Sequence, residues 1–332
     1  MNAARRLALA IVVGIVGVGC GSRFDAASDG ARHALRDPSI AATAAPTTAE
    51  CTPAERAAFD GPNFASLRPS APTPTNGVMT AGSFMEQIQQ RGRLVVGVDQ
   101  NTLQFGYRNP ITGALDGLDI ELLREVARSI WPEDAAHIDD RITFKAVTTA
   151  ERIPAVMNGD VDIVASLLTV TCERARDVSF SNLYYLAHQR FLVRRDSPIA
   201  SAADLAHKRV CATQGSTSLA NLQRDVPTAE PVTVDARTDC LVALQQNTVD
   251  AITADDTILV SFEAQDPKTK ILPDVLSDEP YAIAVNAAHP EFVRFTNGVL
   301  EDMRRDGRLR GLYARFLRTN DPPPPPEPRY VD

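Results

Sequence analysis

Val161-Asp162-Ile163-Val164-Ala165-Ser166-Leu167-Leu168-Thr169-Val170-Thr171-Cys172-Glu173-Arg174 changes its period partway along. Val161–Ala165 is apolar and β-branched, the signature of a short buried strand. Thr171 is a good N-cap and opens a helix expected to run through Val178. A strand that passes through a polar turn into a capped helix is the repeating unit of a parallel α/β sheet. Such sheets bind ligands at the carboxyl ends of their strands. To either side the same alternation continues. Arg93–Val98 reads as a buried strand, and Leu118, Leu122, Leu123, Val126 and Ile130 share one helical face. Thr148-x-x-Glu151 is a capping box, with Pro154 early in the helix that it opens. Phe191–Val193 is a further strand. The pattern then restarts with a strand at Arg209–Ala212, a helix capped at Ser216/Thr217 and running to Arg224, a helix at Leu241–Gln246 and a strand at Val249–Thr253. Asp255 or Asp256 caps the next helix, Tyr281–Val285 is a strand, and Pro290–Leu317 is a long amphipathic helical segment. Gly159-Asp-Val-Asp-Ile-Val164 and Asn247-Thr-Val-Asp-Ala-Ile252 resemble each other and suggest two similarly built lobes.

The ends of the chain differ from this middle. Met1–Arg6 is short and basic, and Leu7–Gly19 is an uncharged apolar run of thirteen residues. That is the pattern of a secretory signal, too short to span a bilayer. Gly17-Val18-Gly19-Cys20 is similar to the lipobox of bacterial lipoproteins, which implies acylation at Cys20 and anchoring to the outer face of the cell membrane. Residues 20–81 are rich in Ala, Pro, Thr and Ser and have no apolar period, so they read as a mostly disordered tether. The run Asp321–Pro328 reads as solvent-facing polyproline II within a tail over 319–332. About 310 residues remain after a signal of nineteen, enough for two lobes with separate cores. The formal net charge of −8, with both signs interspersed, argues against a nucleic-acid partner. If Cys20 carries lipid, four cysteines are left, an even number in an exported chain. No pair has C-x-x-C spacing and the five histidines are scattered, so no metal site is expected. No phosphate loop, nucleophile elbow or cofactor motif is present.

Four blocks, in order, resemble the amino-acid-binding proteins of polar amino-acid ABC importers. They are Leu94–Val98 leading to Gly117–Leu122, the opening stretch Val161–Arg174, Asp204–Ser218, and Pro280–Phe316 with Met303-Arg-Arg-Asp-Gly307. Together they cover about residues 92–318, and the nearest likeness is to actinobacterial glutamate/aspartate-binding lipoproteins. The resemblance implies an α/β, two-lobed periplasmic-binding-protein-like fold of type II. Lobe 1 would be 82–193 plus 282–318, and lobe 2 would be 194–281. Two crossing strands near Phe191 and Tyr281 would form the hinge, with the ligand in the cleft. In that frame Cys211 and Cys240 lie in one lobe and pair, leaving Cys51 to pair with Cys172.

The resemblance also assigns roles. Arg174 takes the ligand α-carboxylate, assisted by Thr169, by backbone near Ser166, and by Ser216 and Thr217 from the second lobe. Arg suits this task because its fork meets a carboxylate bidentately. Asp255 pairs with the ligand ammonium, while Asp256 is a plain cap. Tyr281 is either a pocket wall or hinge core. Relatives often place a stacking aromatic near the end of the first strand, where this chain has the polar stretch around Thr102. That departure points to a glutamate or aspartate ligand, with Arg108 and Arg190 as candidates for its side-chain carboxylate. The expected partners are an amino acid and a membrane permease, for a monomer without cofactor. Two other classes fit the same lobes: a sensor signalling through a membrane protein, and an enzyme like the cyclohexadienyl dehydratases.

Overall fold

The computed structural model describes residues 51–59, 61–70, 74, 76–317 and 323–332. The apolar leader and Cys20 lie outside the described residues. Among the described residues no helix is long and apolar enough to cross a membrane.

Two sheets organise the chain. The first runs Ile142–Ala146, Leu94–Val98, Ile163–Ala165, Ala284–Asn286, Val178–Phe180. Its first three strands are parallel, Ala284–Asn286 runs antiparallel to them, and Val178–Phe180 pairs antiparallel with Ala284–Asn286 at the edge. The second runs Glu230–Val234, Arg209–Thr213, Ala251–Asp255, Tyr185–Arg194, Thr269–Ile271. Again the first three are parallel, and the ten-residue strand Tyr185–Arg194 joins them antiparallel. Its other half pairs with Ser277–Tyr281 in the register Tyr185↔Tyr281. These two strands cross between the lobes. Buried apolar side chains explain the order. Leu94, Val96 and Val98 in one strand and Leu118, Leu122, Leu123 and Val126 in the helix Leu118–Ile130 are at most 1% exposed and share a core cluster.

Several elements end elsewhere than the sequence suggests. The helix after Thr171 is only Cys172–Ala175, and Val178 already belongs to the next strand. The segment Pro290–Leu317 breaks at Gly307, whose φ of 82° ends one helix and starts another. Tyr281 and Val285 lie in separate strands.

The described parts of both ends are packed on the rest of the chain. Cys51 is buried and disulfide-bonded to Cys172, and Cys211 to Cys240. Thr52 caps the helix Pro53–Ala57 through a capping box with Glu55. Phe59 stacks on Phe64, which meets Phe180 edge-on. Ser66–Leu67 pairs in parallel with Tyr330–Val331, and Arg68 lies over the Tyr330 ring and 2.8 Å from Asp332. So 51–59 and 61–70 are packed chain rather than free tether, and the end of the tail returns to the first lobe. The reason is tertiary: isolated aromatic residues without a period find a partner surface only once Phe180 is in place.

Candidate ligand cleft

The carboxyl ends of both sheets face each other, as the strand-to-helix turns require. Gly215, at φ 74°, allows the close approach of the lobes, since a Cβ there would meet the Ala150 backbone at 2.9 Å. On the second lobe Ser216 caps the helix Thr217–Asp225, accepting from Leu219 N at 3.1 Å. On the first lobe the turn after Ile163–Ala165 passes through Leu167 at φ 46°, a strained value for a non-glycine residue. Two buried side chains hold it there. Asp119 accepts from Leu167 N at 2.8 Å, and Arg152 Nη1 donates to the Ser166 and Leu167 carbonyls at 2.8 and 2.9 Å. Burial lifts the Asp119 carboxyl to about 6 and pushes the Arg152 guanidinium well below its usual range.

Thr149, Arg152, Thr169, Ser216, Thr217, Arg237 and Asp255 line a small, partly open cavity between the lobes. Arg174 lies outside that lining, in the wider pocket of the cleft that it shares with Thr169, Ser216, Thr217 and Glu279. Its two terminal nitrogens donate to Thr169 O at 2.7 Å and Gly215 O at 3.1 Å, one carbonyl from each lobe. Burial lowers its pKa, and the carboxylates of Glu279 and Asp255 oppose that. The helix carrying Arg174 has four residues, so the guanidinium rather than a macrodipole supplies the positive charge.

Asp255 ends its strand 4% exposed, accepting from the hydroxyls of Tyr281 and, at 3.4 Å, Ser218. Burial, then the nearby Glu279 carboxylate, raises it to about 7. Tyr281 itself is 0% exposed, packed edge-on to Phe105, and its hydroxyl also meets Thr257 at 3.0 Å. It orients Asp255 from the hinge and does not line the cavity. Asp256, expected as the plain cap, is instead the first residue of the helix Asp256–Gln265, with Asp255 at the N-cap position, and it accepts from Thr257 N at 2.8 Å.

The remaining candidates lie apart from the cavity. Ser166 is fully buried with its hydroxyl lacking a partner, and only its carbonyl is engaged, by Arg152. Thr102 is buried behind the wall and donates to Asp99 at 2.5 Å. Arg108 is exposed and bonded to Gln100 and to the Gly113 carbonyl. Arg190 donates to the Pro273 carbonyl. Neither arginine lines the cleft, because their strands turn these side chains to other faces.

Three cleft residues carried no signal in the sequence. Glu279, 1% exposed, accepts from Thr169 Oγ1 and Thr217 Oγ1, both at 2.7 Å, so one carboxylate ties the two lobes together. Ser277 and Asn221 satisfy its other oxygen. Arg152 opens the helix Arg152–Met157, whose N-cap position is Glu151 rather than the expected Thr148 capping box, and charge at such a place usually means a solvated face. Arg237 opens the helix Arg237–Gln245, four residues before the apolar run that marked it.

Two α/β lobes joined by crossing strands, with a polar, charge-lined cavity at the facing strand ends, are the architecture of a protein that holds a small solute between its lobes. Residues 94–319 match the model of the bacterial extracellular solute-binding proteins, family 3, and the chain belongs to that family. It is 32% identical to a glutamine-binding protein of an ABC transporter from Bacillus subtilis, covering 70% of this chain and 83% of that one. A glutamate-binding protein from Corynebacterium glutamicum is 29% identical, over 70% of this chain and 81% of its own. Among solved structures, an ancestral arginine-binding protein bound to glutamine superposes with a TM-score of 0.62 at 30% identity. It covers 68% of this chain and 98% of its own. The two-lobed fold thus matches what the motifs implied.

The raised pKa of Asp255 gives a pH expectation with two opposite signs. If Asp255 takes the ligand ammonium, it does so as the carboxylate, so below about 7 binding must first expel a proton. Affinity is expected to fall about tenfold per pH unit well below 7 and to level off above it. The ligand-free fold behaves the other way. Between about 4, where an unfolded aspartate titrates, and about 7, the native state holds more protons. Its stability therefore declines as pH rises through that window. Calorimetry in two buffers of different ionisation enthalpy measures the proton released. An affinity independent of pH in wild type would remove Asp255 as the ammonium partner, and Asp255→Asn should flatten the profile.

Proposed function

We propose that the protein captures an acidic amino acid, glutamate or aspartate, outside the cell and delivers it to an ABC importer, anchored to the membrane through lipid on Cys20. It works as a binding protein rather than an enzyme. The observation that carries the ligand class is the charge set of the inner cavity, two cations, Arg152 and Arg237, and one anion, Asp255. An acidic amino acid brings to that pair of arginines one carboxylate more than a neutral one has, beyond the α-carboxylate that Arg174 takes and the ammonium that Asp255 takes. In this reading Arg174 and the Thr169, Ser216 and Thr217 groups take the α-carboxylate, with Asp255 on the ammonium and Tyr281 holding Asp255 in place. The side-chain carboxylate faces Arg152 and Arg237, which replace Arg108 and Arg190 in that role. Leaving that carboxylate unpaired in a closed cleft would cost several kcal/mol, enough to erase micromolar binding. The named relatives that bind glutamine and glutamate support an amino-acid ligand.

Calorimetry of the purified chain against the twenty amino acids is the test. Glutamate or aspartate should bind at least tenfold tighter than glutamine and arginine. The reverse order would overturn the ligand class and leave the fold untouched. Anchoring is tested separately: labelling with a palmitate analogue should disappear in Cys20→Ala, and labelling that persists would place the lipid elsewhere.

A further inference from the structure

We infer that Arg237 is the residue that selects the acidic side chain, reaching it from the second lobe only when the lobes meet. This rests on the reading of the cleft as a site for an acidic amino acid. Arg237 is 7% exposed and lines the cavity. Its Nη2 donates to Thr149 Oγ1 of the first lobe at 3.2 Å. Its Nη1 is fully buried and has no hydrogen-bond acceptor among the described residues. Asp99 Oδ2 stands 3.9 Å from Nη1, close enough for attraction but too far for a hydrogen bond, and it is already engaged by the Thr102 hydroxyl.

A buried charged donor left without an acceptor is costly, and proteins keep few of them. A ligand carboxylate would satisfy it, because two oxygens in one plane match the guanidinium fork. A carboxamide presents one acceptor and turns its own N–H groups toward the cation. Arg152 adds a second positive charge along the same wall, with its Nε and Nη1 already on the carbonyls of Thr149, Ser166 and Leu167. Asp99, Asp119 and Asp255 all lie within electrostatic reach of these cations, so it is the unmet Nη1 donor rather than a surplus of positive charge that an anionic side chain there would satisfy.

The elements add a second consequence. Arg237 sits on a second-lobe helix, whereas Thr149, Asp99 and Arg152 belong to the first lobe. Reading the side chain and closing the cleft are therefore one event. Glutamate should favour the closed form more than glutamine does, since a ligand shifts such an equilibrium only by its differential contacts.

The experiment is calorimetry of the full purified chain, wild type, Arg237→Met and Arg237→Lys, against L-glutamate, L-aspartate and L-glutamine. Arg237→Met should weaken glutamate and aspartate at least a hundredfold and glutamine less than fivefold. Arg237→Lys should keep the preference for acids at reduced affinity. Equal losses for all three ligands would overturn the inference and make Arg237 a lobe-to-lobe contact only. A wild type that prefers glutamine would instead refute the acidic reading itself, a result visible before any variant is made. Should Arg237→Met fold poorly because Asp99 is left uncompensated, Asp99→Asn/Arg237→Met removes both charges. The same selective loss is expected in that pair, and retained glutamate preference there would also overturn the inference.

Discussion

Arg174→Ala is expected to lower the affinity for every amino acid by about a thousandfold, by the same factor whatever the side chain. All amino acids share the α-carboxylate, and truncating one partner of a buried, hydrogen-bonded charge pair costs about 2–5 kcal/mol. The upper half of that range corresponds to a factor of several hundred or more. The structure adds a second loss. Arg174 is the donor to a carbonyl from each lobe, Thr169 and Gly215, so its removal leaves both acceptors unpaired when the cleft closes. Arg174→Lys keeps the charge but cannot reach two carbonyls and a carboxylate together, so it should recover only part of the loss. Calorimetry with glutamate, aspartate and glutamine reads the result. A loss confined to the acidic ligands would move Arg174 to the side-chain subsite, and no loss at all would remove it from the site.

The disulfides carry the other large effect. Cys51–Cys172 closes a separation of 121 residues and Cys211–Cys240 one of 29. On the chain-entropy model these closures stabilise by about 5 and about 4 kcal/mol, less whatever strain the native state holds. Replacing either pair by serines should lower the denaturation midpoint markedly. The two pairs should differ in function. Cys172 lies in the same four-residue helix as Arg174, and Arg56 in the stapled segment pairs with Glu173 at 2.9 Å. Loss of Cys51–Cys172 should therefore weaken ligand binding as well as stability. Loss of Cys211–Cys240, in the core of the second lobe, should act on stability alone. Denaturant titration followed by calorimetry on the folded variants separates the two. If both pairs leave binding unchanged, the stapled segment has no influence on the cleft.

Much of this molecule was legible in one dimension where a residue's role is local. Thr171 and Ser216 cap helices through their own side chains, three residues away. Hydrophobic period alone marked the helix Leu118–Ile130 and the strand Leu94–Val98. Local rules failed where a boundary depends on a neighbour. Val178 continues the pattern of the preceding helix, yet pairing with Asn286 makes it strand. Phe59, Phe64 and Tyr330 have no periodic company, so the segments bearing them read as unstructured.

The cleft divides in the same way. Arg174, Thr169, Ser216, Thr217 and Asp255 stand at strand ends and helix starts, positions that a sequence pattern can locate. Which other side chains converge there is decided by long-range contact. Glu279 comes from 110 residues beyond Thr169, and Arg237 reaches Thr149 across 88. Arg108 and Arg190 were the candidates for the ligand side-chain carboxylate, but a strand alternates its faces and theirs point elsewhere. The amino-acid sequence by itself determined the α/β alternation, the two lobes and the residues at the turns, because backbone preference and burial period act over a few residues. Only the tertiary structure decided which buried charges face one another, since a charge is paid for by partners that folding brings from distant parts of the chain.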